Sequence, residues 1–263
     1  MIKLKKGLTA ALVLFSFMLS PMDLAGTLTG AGSGFGLACA HRAAALGMNL
    51  VLIDVQADAL SAAAAALSPT GVAVMTAVTD VADAAAMDAL ANDVMARFGA
   101  PHLVFNNAGV GTSGLLWEAT TAEWDWVMGV NVWGVINSIR AFMPRLVASG
   151  KESHFVVTGS GNGAYTILPD VPIYTATKAA VHAITENLHY QVQAGNLAVK
   201  VSALFPGPHV VDTGLFNSGR VRPEDLKKEG VDGNESGINS VEDMKKMCEE
   251  FGIQLETTHP DEV

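Results

Sequence analysis

Four glycines within seven residues, in Thr29-Gly30-Ala31-Gly32-Ser33-Gly34-Phe35-Gly36, constrain the fold of this chain more than any other segment. The loop stands between a short strand-like stretch, 24–29, and a helix-like one, 34–46. A strand that turns into a helix through glycine brings backbone N–H groups and the positive end of a helix to one point, which suits a pyrophosphate. The spacing is G-x-x-x-G-x-G through Gly30, Gly34 and Gly36, not the commoner G-x-G-x-x-G. A glycine cluster alone is a weak signal, because many tight turns need glycine. Its setting between strand and helix is what gives it weight.

Downstream, strand-like and helix-like stretches alternate. Residues 49–54 form a compact apolar strand, and 57–67 are so rich in alanine that helix is the natural reading. Further strands are read at 72–77, 102–106, 154–158 and 198–204, with helices at 82–98, 121–146 and 173–193. With right-handed crossovers, this order predicts an α/β fold: a single doubly wound, Rossmann-like parallel sheet with helices on both faces. Its first strand is shortened, since 24–29 lack a run of apolar β-formers. Residues 22–263 read as one domain, in which 207–251 supply loop and helices beside the substrate. There Val241, Met244, Cys248 and Phe251 recur at helical spacing with charges between them.

Half of the residues are hydrophobic and only 16% are charged, so strands buried on both faces are plausible. A net charge of −10 argues against nucleic acid as a partner. Residues 221–263 hold 12 acidic and 5 basic side chains, so seven of the excess negative charges belong to a solvated tail. Cys39 and Cys248 offer neither a disulfide framework nor metal spacing, which fits a reducing, cytoplasmic setting with no metal. Residues 1–21 are the exception: three lysines precede an apolar run at 8–19. This outline resembles a signal peptide and is short for a membrane span, and its cleavage pattern is poor. An extension ahead of Met22, or a membrane-surface anchor, is the favoured reading; export is the alternative.

Asp54 closes the second strand 20 residues beyond Gly34. A carboxylate there can accept hydrogen bonds from both hydroxyls of an adenosine ribose and repels a 2′-phosphate, which favours NAD over NADP. Far downstream, Tyr174-x-x-x-Lys178 sets a phenol and an ammonium on one face of a helix, one turn apart. A free tyrosine ionises near pH 10, so proton exchange near neutrality needs help. The Lys178 ammonium and the positive ring of an oxidised nicotinamide would both favour phenolate. Taken alone, Y-x-x-x-K arises easily by chance.

The ordered set is more specific. The glycine loop, Asp80-Val81, Asn106-Asn107-Ala108-Gly109, Asn131-Val132-Trp133-Gly134, Ser160, Tyr174-x-x-x-Lys178 and Pro206-Gly207 fall along residues 26–220 in the order of the short-chain dehydrogenase/reductase family. The chain resembles a member of it. That resemblance implies reversible hydride transfer between NAD(H) and a secondary alcohol or ketone. It assigns catalysis to Asn131, Ser160, Tyr174 and Lys178. Ser160 would bond the substrate oxygen, Lys178 would hold the nicotinamide ribose, and Asn131 would hold a water that passes the proton onward. Cofactor contacts are assigned to Gly30, Ser33, Gly34, Phe35, Gly36, Asp54, Asp80, Val81, Asn107, Ala108, Gly109, Tyr174, Lys178, Pro206, Gly207 and Thr213. Leu215 and Phe216 would border a hydrophobic alcohol or ketone, and Tyr165 and Asp170 are candidates to meet it. A homodimer or homotetramer through 121–146 and 173–193 is also implied.

The chain departs from the family in three places. Ser160 precedes Tyr174 by 14 positions, one more than usual, and the stretch from Pro206-Gly207 to Thr213 is about two residues longer. Loops absorb such insertions at little thermodynamic cost, whereas catalytic positioning is less forgiving. Residues 259–263 resemble the beginning of a further helix leading to a last strand, so the C-terminal strand is missing from the predicted sheet. Two other readings follow: a dinucleotide-binding protein without catalysis, and a dehydratase or epimerase using the same Tyr–Lys pair.

Overall fold

The computed structural model describes residues 24–207, 210–224, 226, 240–250 and 254–262. Six parallel strands form one sheet: β1 (Ala25–Thr29), β2 (Asn49–Asp54), β3 (Val74–Val78), β4 (Leu103–Asn106), β5 (Ser153–Thr158) and β6 (Val199–Leu204). Their order is β3-β2-β1-β4-β5-β6, the predicted doubly wound arrangement. The short first strand lies at its centre. All five of its residues are buried, and it pairs with β2 along its whole length and with β4 at Gly26–Leu28.

Side chains of a strand alternate between faces, and β2 uses both. Leu50 and Leu52 enter one core with Leu28, Phe35, Leu60 and Leu67, under α1 (Gly34–Ala45) and α2 (Ala57–Leu67). Val51 and Ile53 enter the other with Met87, Val94, Phe142 and Val181. That second core lies under α3 (Ala84–Phe98), α5 (Gly134–Ser149) and α6 (Pro172–Ala194). Two covered faces explain why β2 reads as an unbroken apolar run.

The helix expected over 121–146 is interrupted. α4 (Thr121–Met128) and α5 are joined by a π-helical turn, Gly129–Trp133, in which the Gly134 amide bonds the Gly129 carbonyl. An inserted residue widens the helix there and rotates the following face, an event that hydrophobic spacing does not register. The start of α3 also differs from the expected 82. Asp83 is its N-cap, accepting from the amides of Ala85 and Ala86, so residues 82 and 83 belong to the preceding turn.

After β6 the chain forms β7 (Val210–Val211), a 3₁₀ segment at Gly214–Val221, α7 (Val241–Glu250) and β8 (Thr257–Thr258), which pairs in parallel with β7. A final 3₁₀ turn, Pro260–Glu262, packs on α1, where the Arg42 guanidinium meets the Asp261 carbonyl. Among the described residues the sheet ends at β6, and no helix is long and apolar enough to cross a membrane. Residues 1–21 and Phe251 lie outside the described residues.

One buried histidine sets a pH limit on this fold. His154 on β5 bonds Ser202 Oγ on β6 through Nε2 at 2.9 Å, and burial, with Lys200 beside it, lowers its pKa from 6.5 to about 4. The unfolded chain takes up that proton near pH 6.5 and the folded one does not. Stability is therefore intact above pH 6.5 and falls toward pH 4 by about 1.4 kcal/mol per unit. Denaturant titrations from pH 7 to 4 are expected to give a flatter dependence for His154→Gln than for the wild type. Parallel curves would contradict the assignment.

Candidate functional site

All six strands of the sheet point their C-terminal ends to one side. The order reverses between β1 and β4, which opens a crevice above that junction. A cleft of about 620 Å³ lies there. Its floor is held by one carboxamide. Asn107 Nδ2 donates to the carbonyls of Thr29 (3.3 Å) and Gly30 (3.5 Å), and its Oδ1 accepts from Thr158 Oγ1 (3.2 Å). The Thr29 hydroxyl in turn accepts from the amides of Asn107 and Ala108, at 2.9 and 3.0 Å. Three strand ends are thus tied together, with Ala108 and Gly109 on the cleft wall.

At one end of the cleft the glycine loop turns β1 into α1. Gly30 has φ +63°, a conformation that side chains resist, and a Cβ on it would lie 3.0 Å from the Ala108 backbone. A Cβ on Gly36 would lie 2.2 Å from the Gly30 carbonyl oxygen, so only glycine lets α1 sit this close to the loop. Gly36 therefore packs beneath the cleft and does not line it, whereas Gly30, Ser33, Gly34 and Phe35 do. Ser33 is the N-cap of α1 yet makes no capping bond with its side chain. Asp54 faces the loop: Oδ2 accepts from the Gly32 amide at 3.0 Å and Oδ1 from the Gln56 amide at 3.1 Å. Each oxygen retains acceptor capacity. Asp80 and Val81 line the same end, and Asp80 Oδ1 accepts from the Ala82 amide at 2.9 Å.

Deeper in the cleft lie Ser160, Tyr174 and Lys178. Lys178 is buried and its Nζ donates to the Thr158 carbonyl at 2.8 Å, 5.6 Å from the centre of the Tyr174 ring. Burial lowers its pKa from 10.5 to about 8. Burial raises that of Tyr174 above 10, and a hydrogen bond with Ser160 offsets part of the rise. Without a cofactor's charge, desolvation outweighs the expected push toward phenolate.

Asn131 lies behind this group, off the cleft wall. Its Oδ1 accepts from the Val110 amide, and its Nδ2 donates to the Val110 carbonyl and to Thr177 Oγ1, all at 2.9 Å. Both amide protons are used within the protein, so the side chain donates nothing to a water and instead locks the strand β4 exit to α6.

The far end is apolar. Val110, Trp126, Leu168, Leu215, Phe216 and Val221 line it, with Asn162 and Thr166 as polar neighbours. Pro206 and Thr213 line the cleft, whereas Gly207 (φ +144°) does not. Tyr165 and Asp170 also lie elsewhere. Tyr165 is exposed and packs on Phe205 at 5.3 Å, and Asp170 gives its carbonyl to the Gly114 amide at 3.1 Å. The extra residue between Ser160 and Tyr174 is taken up in this loop. Asn162 Oδ1 accepts from the Leu168 amide (3.1 Å) and Thr175 Oγ1 (3.0 Å), and Leu168, though half exposed, borders the cleft where Tyr165 does not. Trp126, Asn162 and Arg220 were not legible as site residues, since each carries no local pattern and reaches the cleft from a different element.

The group that would fit this cleft is a dinucleotide: a close backbone turn at a helix N-terminus for two phosphates, and an aspartate with spare acceptor capacity for a ribose. Comparisons agree. The short chain dehydrogenase pattern matches residues 27–221. A probable oxidoreductase, EphD, of Mycobacterium tuberculosis is 33% identical over 215 residues; the match covers 82% of this chain and 36% of EphD, so the chain spans about a third of that relative. A C alpha-dehydrogenase of Sphingobium is 33% identical over 220 residues, covering 83% of this chain and 70% of its own length. Among solved structures, a short chain dehydrogenase/reductase of Burkholderia phymatum in complex with NAD is 42% identical with a TM-score of 0.75, covering 79% of this chain and 73% of that one. The fold, the ordered motifs and these matches make the chain a member of the short-chain dehydrogenase/reductase family.

Proposed function

We propose that this protein is an NAD-dependent oxidoreductase that interconverts a hydrophobic secondary alcohol and its ketone, with Tyr174 as the acid and base. The observation that carries this reading is a half-buried tyrosine, hydrogen-bonded to Ser160 and one helical turn from a buried lysine, on the wall of the cleft that also holds the glycine loop and Asp54. A nicotinamide dinucleotide bound there supplies or accepts the hydride. The chain's own residues orient and protonate. Ser160 Oγ would share the substrate oxygen with Tyr174 and so fix its distance from the phenol. Tyr174 carries its proton at neutral pH, which equips it to donate to a ketone oxygen as that oxygen gains charge. Lys178, anchored on Thr158, sits where its ammonium stabilises the phenolate that results.

Preference for NAD rests on charge. Among the described residues, the charged ones on the cleft are Asp54, Asp80, Lys178 and Arg220, and the two near the expected adenosine are acidic. A 2′-phosphate would be repelled there, while both ribose hydroxyls could donate to Asp54. The apolar far end supports a hydrophobic substrate. Self-association through the helices after Thr121 and Pro172 belongs to the same reading, supported by Trp133 and Tyr190, which are 53% and 63% exposed.

Tyr174→Phe is expected to lower kcat for ketone reduction by about 10²- to 10⁴-fold, with NADH affinity by calorimetry unchanged. Comparable loss of both would mean that Tyr174 serves binding rather than proton transfer. Asp54→Ser should weaken NAD binding about tenfold, the order expected for losing hydrogen bonds to a charged acceptor, and narrow the gap to NADP. An unchanged ratio of the two affinities would remove Asp54 from cofactor choice. The reductive rate should fall as pH rises through about 8, where Lys178 loses its proton. A flat profile from pH 7 to 9 would show that the lysine charge is not needed.

A further inference from the structure

Arg220 stands at the mouth of the cleft, in the 3₁₀ segment beyond β7, and no motif points to it. Its guanidinium lies over Gly214: Nη1, Nη2 and the central Cζ would come within 2.7–2.8 Å of a Cβ built there, so glycine is what admits the group. Nη1 donates to the Asn217 carbonyl at 2.8 Å and to the Gly214 carbonyl, and Nη2 reaches across to Ser33 Oγ at 3.4 Å. Ser33 is the N-cap of α1, and the neighbouring Gly34 faces Thr213, with a Cβ contact distance of 3.2 Å. The guanidinium is therefore held beside the positive end of α1.

We infer that Arg220 binds the pyrophosphate of the dinucleotide, from beside the glycine loop. This rests on the cofactor reading above. Three observations lead there. Among the described residues, Arg220 and Lys178 are the cationic ones on the cleft, and Lys178 is committed to the Thr158 carbonyl deep inside. A neutral serine hydroxyl at 3.4 Å is a weak acceptor for a guanidinium, whereas phosphate oxygens accept its planar fork in charge-assisted bonds. The fork is also held in advance, because two backbone carbonyls orient Nη1 and leave Nη2 directed at the loop. Neighbouring contacts fix the segment that carries it. Ser218 Oγ accepts from the Gly111 amide at 3.0 Å, and Arg222 pairs with Glu123 at 3.0 Å in a buried ion pair. Since Leu215, Phe216 and Val221 on this segment line the substrate end, an anion held by Arg220 also steadies the substrate wall.

The test compares ligands with and without the pyrophosphate on the whole protein. Affinities for NAD, NADP and ADP-ribose are measured by calorimetry and that for adenosine by NMR titration, for wild type, Arg220→Gln and Arg220→Lys. The expected result is a roughly tenfold weaker affinity of Arg220→Gln for NAD and ADP-ribose, a smaller loss for Arg220→Lys, and no change for adenosine. The preserved adenosine affinity also shows that the variant is folded. Unchanged NAD and ADP-ribose binding in Arg220→Gln would overturn the inference while leaving the cofactor reading intact. A loss seen only with NADP would also overturn it, moving the contact to a 2′-phosphate. Failure of the wild type to bind NAD or ADP-ribose would overturn the cofactor reading, and this inference with it.

Discussion

The carboxamide of Asn107 is the constraint on which the site depends. It joins the C-terminal ends of β1 and β5 at the point where the sheet order reverses, through Thr29, Gly30 and Thr158. Thr158 then accepts the Lys178 ammonium through its carbonyl. A continuous polar path therefore runs from the glycine loop to the lysine beneath Tyr174, and each link is a hydrogen bond with a defined direction. Moving one strand end would disturb both the glycine turn and the Tyr174–Lys178 pair. Buried polar networks of this kind rigidify a site when every member is satisfied. Asn131 performs the equivalent task one layer out, between Val110 and Thr177.

This construction stores an electrostatic cost. Lys178 is buried with its pKa lowered from 10.5 to about 8, which corresponds to an unfavourable desolvation on the order of 3 kcal/mol at neutral pH. The sign is that of a depressed base: the cost is full below pH 8 and is relieved as the pH rises toward 10.5. Burial also disfavours the phenolate of Tyr174. Both penalties fall on charged forms that the proposed reaction uses. Sites that need a charge in a dry environment commonly trade stability for function in this way.

Much of this was legible in the residues because it is local chemistry. The alternation of apolar runs and helical stretches led to the doubly wound parallel sheet, and the glycine loop with Asp54 marked the end of the cleft where β1 and β2 stop. Tyr174 and Lys178 were legible because four residues of helix fix their relation. What escaped depends on contacts between distant elements. The π turn at Gly129–Trp133 leaves no trace in hydrophobic spacing. The choice of Leu168 over Tyr165 as a cleft residue follows from a hydrogen bond between Asn162 and the Leu168 amide, six residues away. Arg220 reaches Ser33 across 187 positions of sequence. The short strand at 25–29 looked deficient because its stability comes from two neighbours, not from its own composition.

The central claim is that the cleft moves a hydride between a nicotinamide and a carbon bearing oxygen, while a proton passes through the protein. Incubating the protein with NADH deuterated at both C4 positions and a set of hydrophobic ketones, then locating the label in any alcohol by NMR, tests it most directly. Deuterium at the carbinol carbon, with the hydroxyl proton drawn from solvent, is the result predicted. Absence of any alcohol from protein that binds NADH, or an alcohol unlabelled at that carbon, would contradict it.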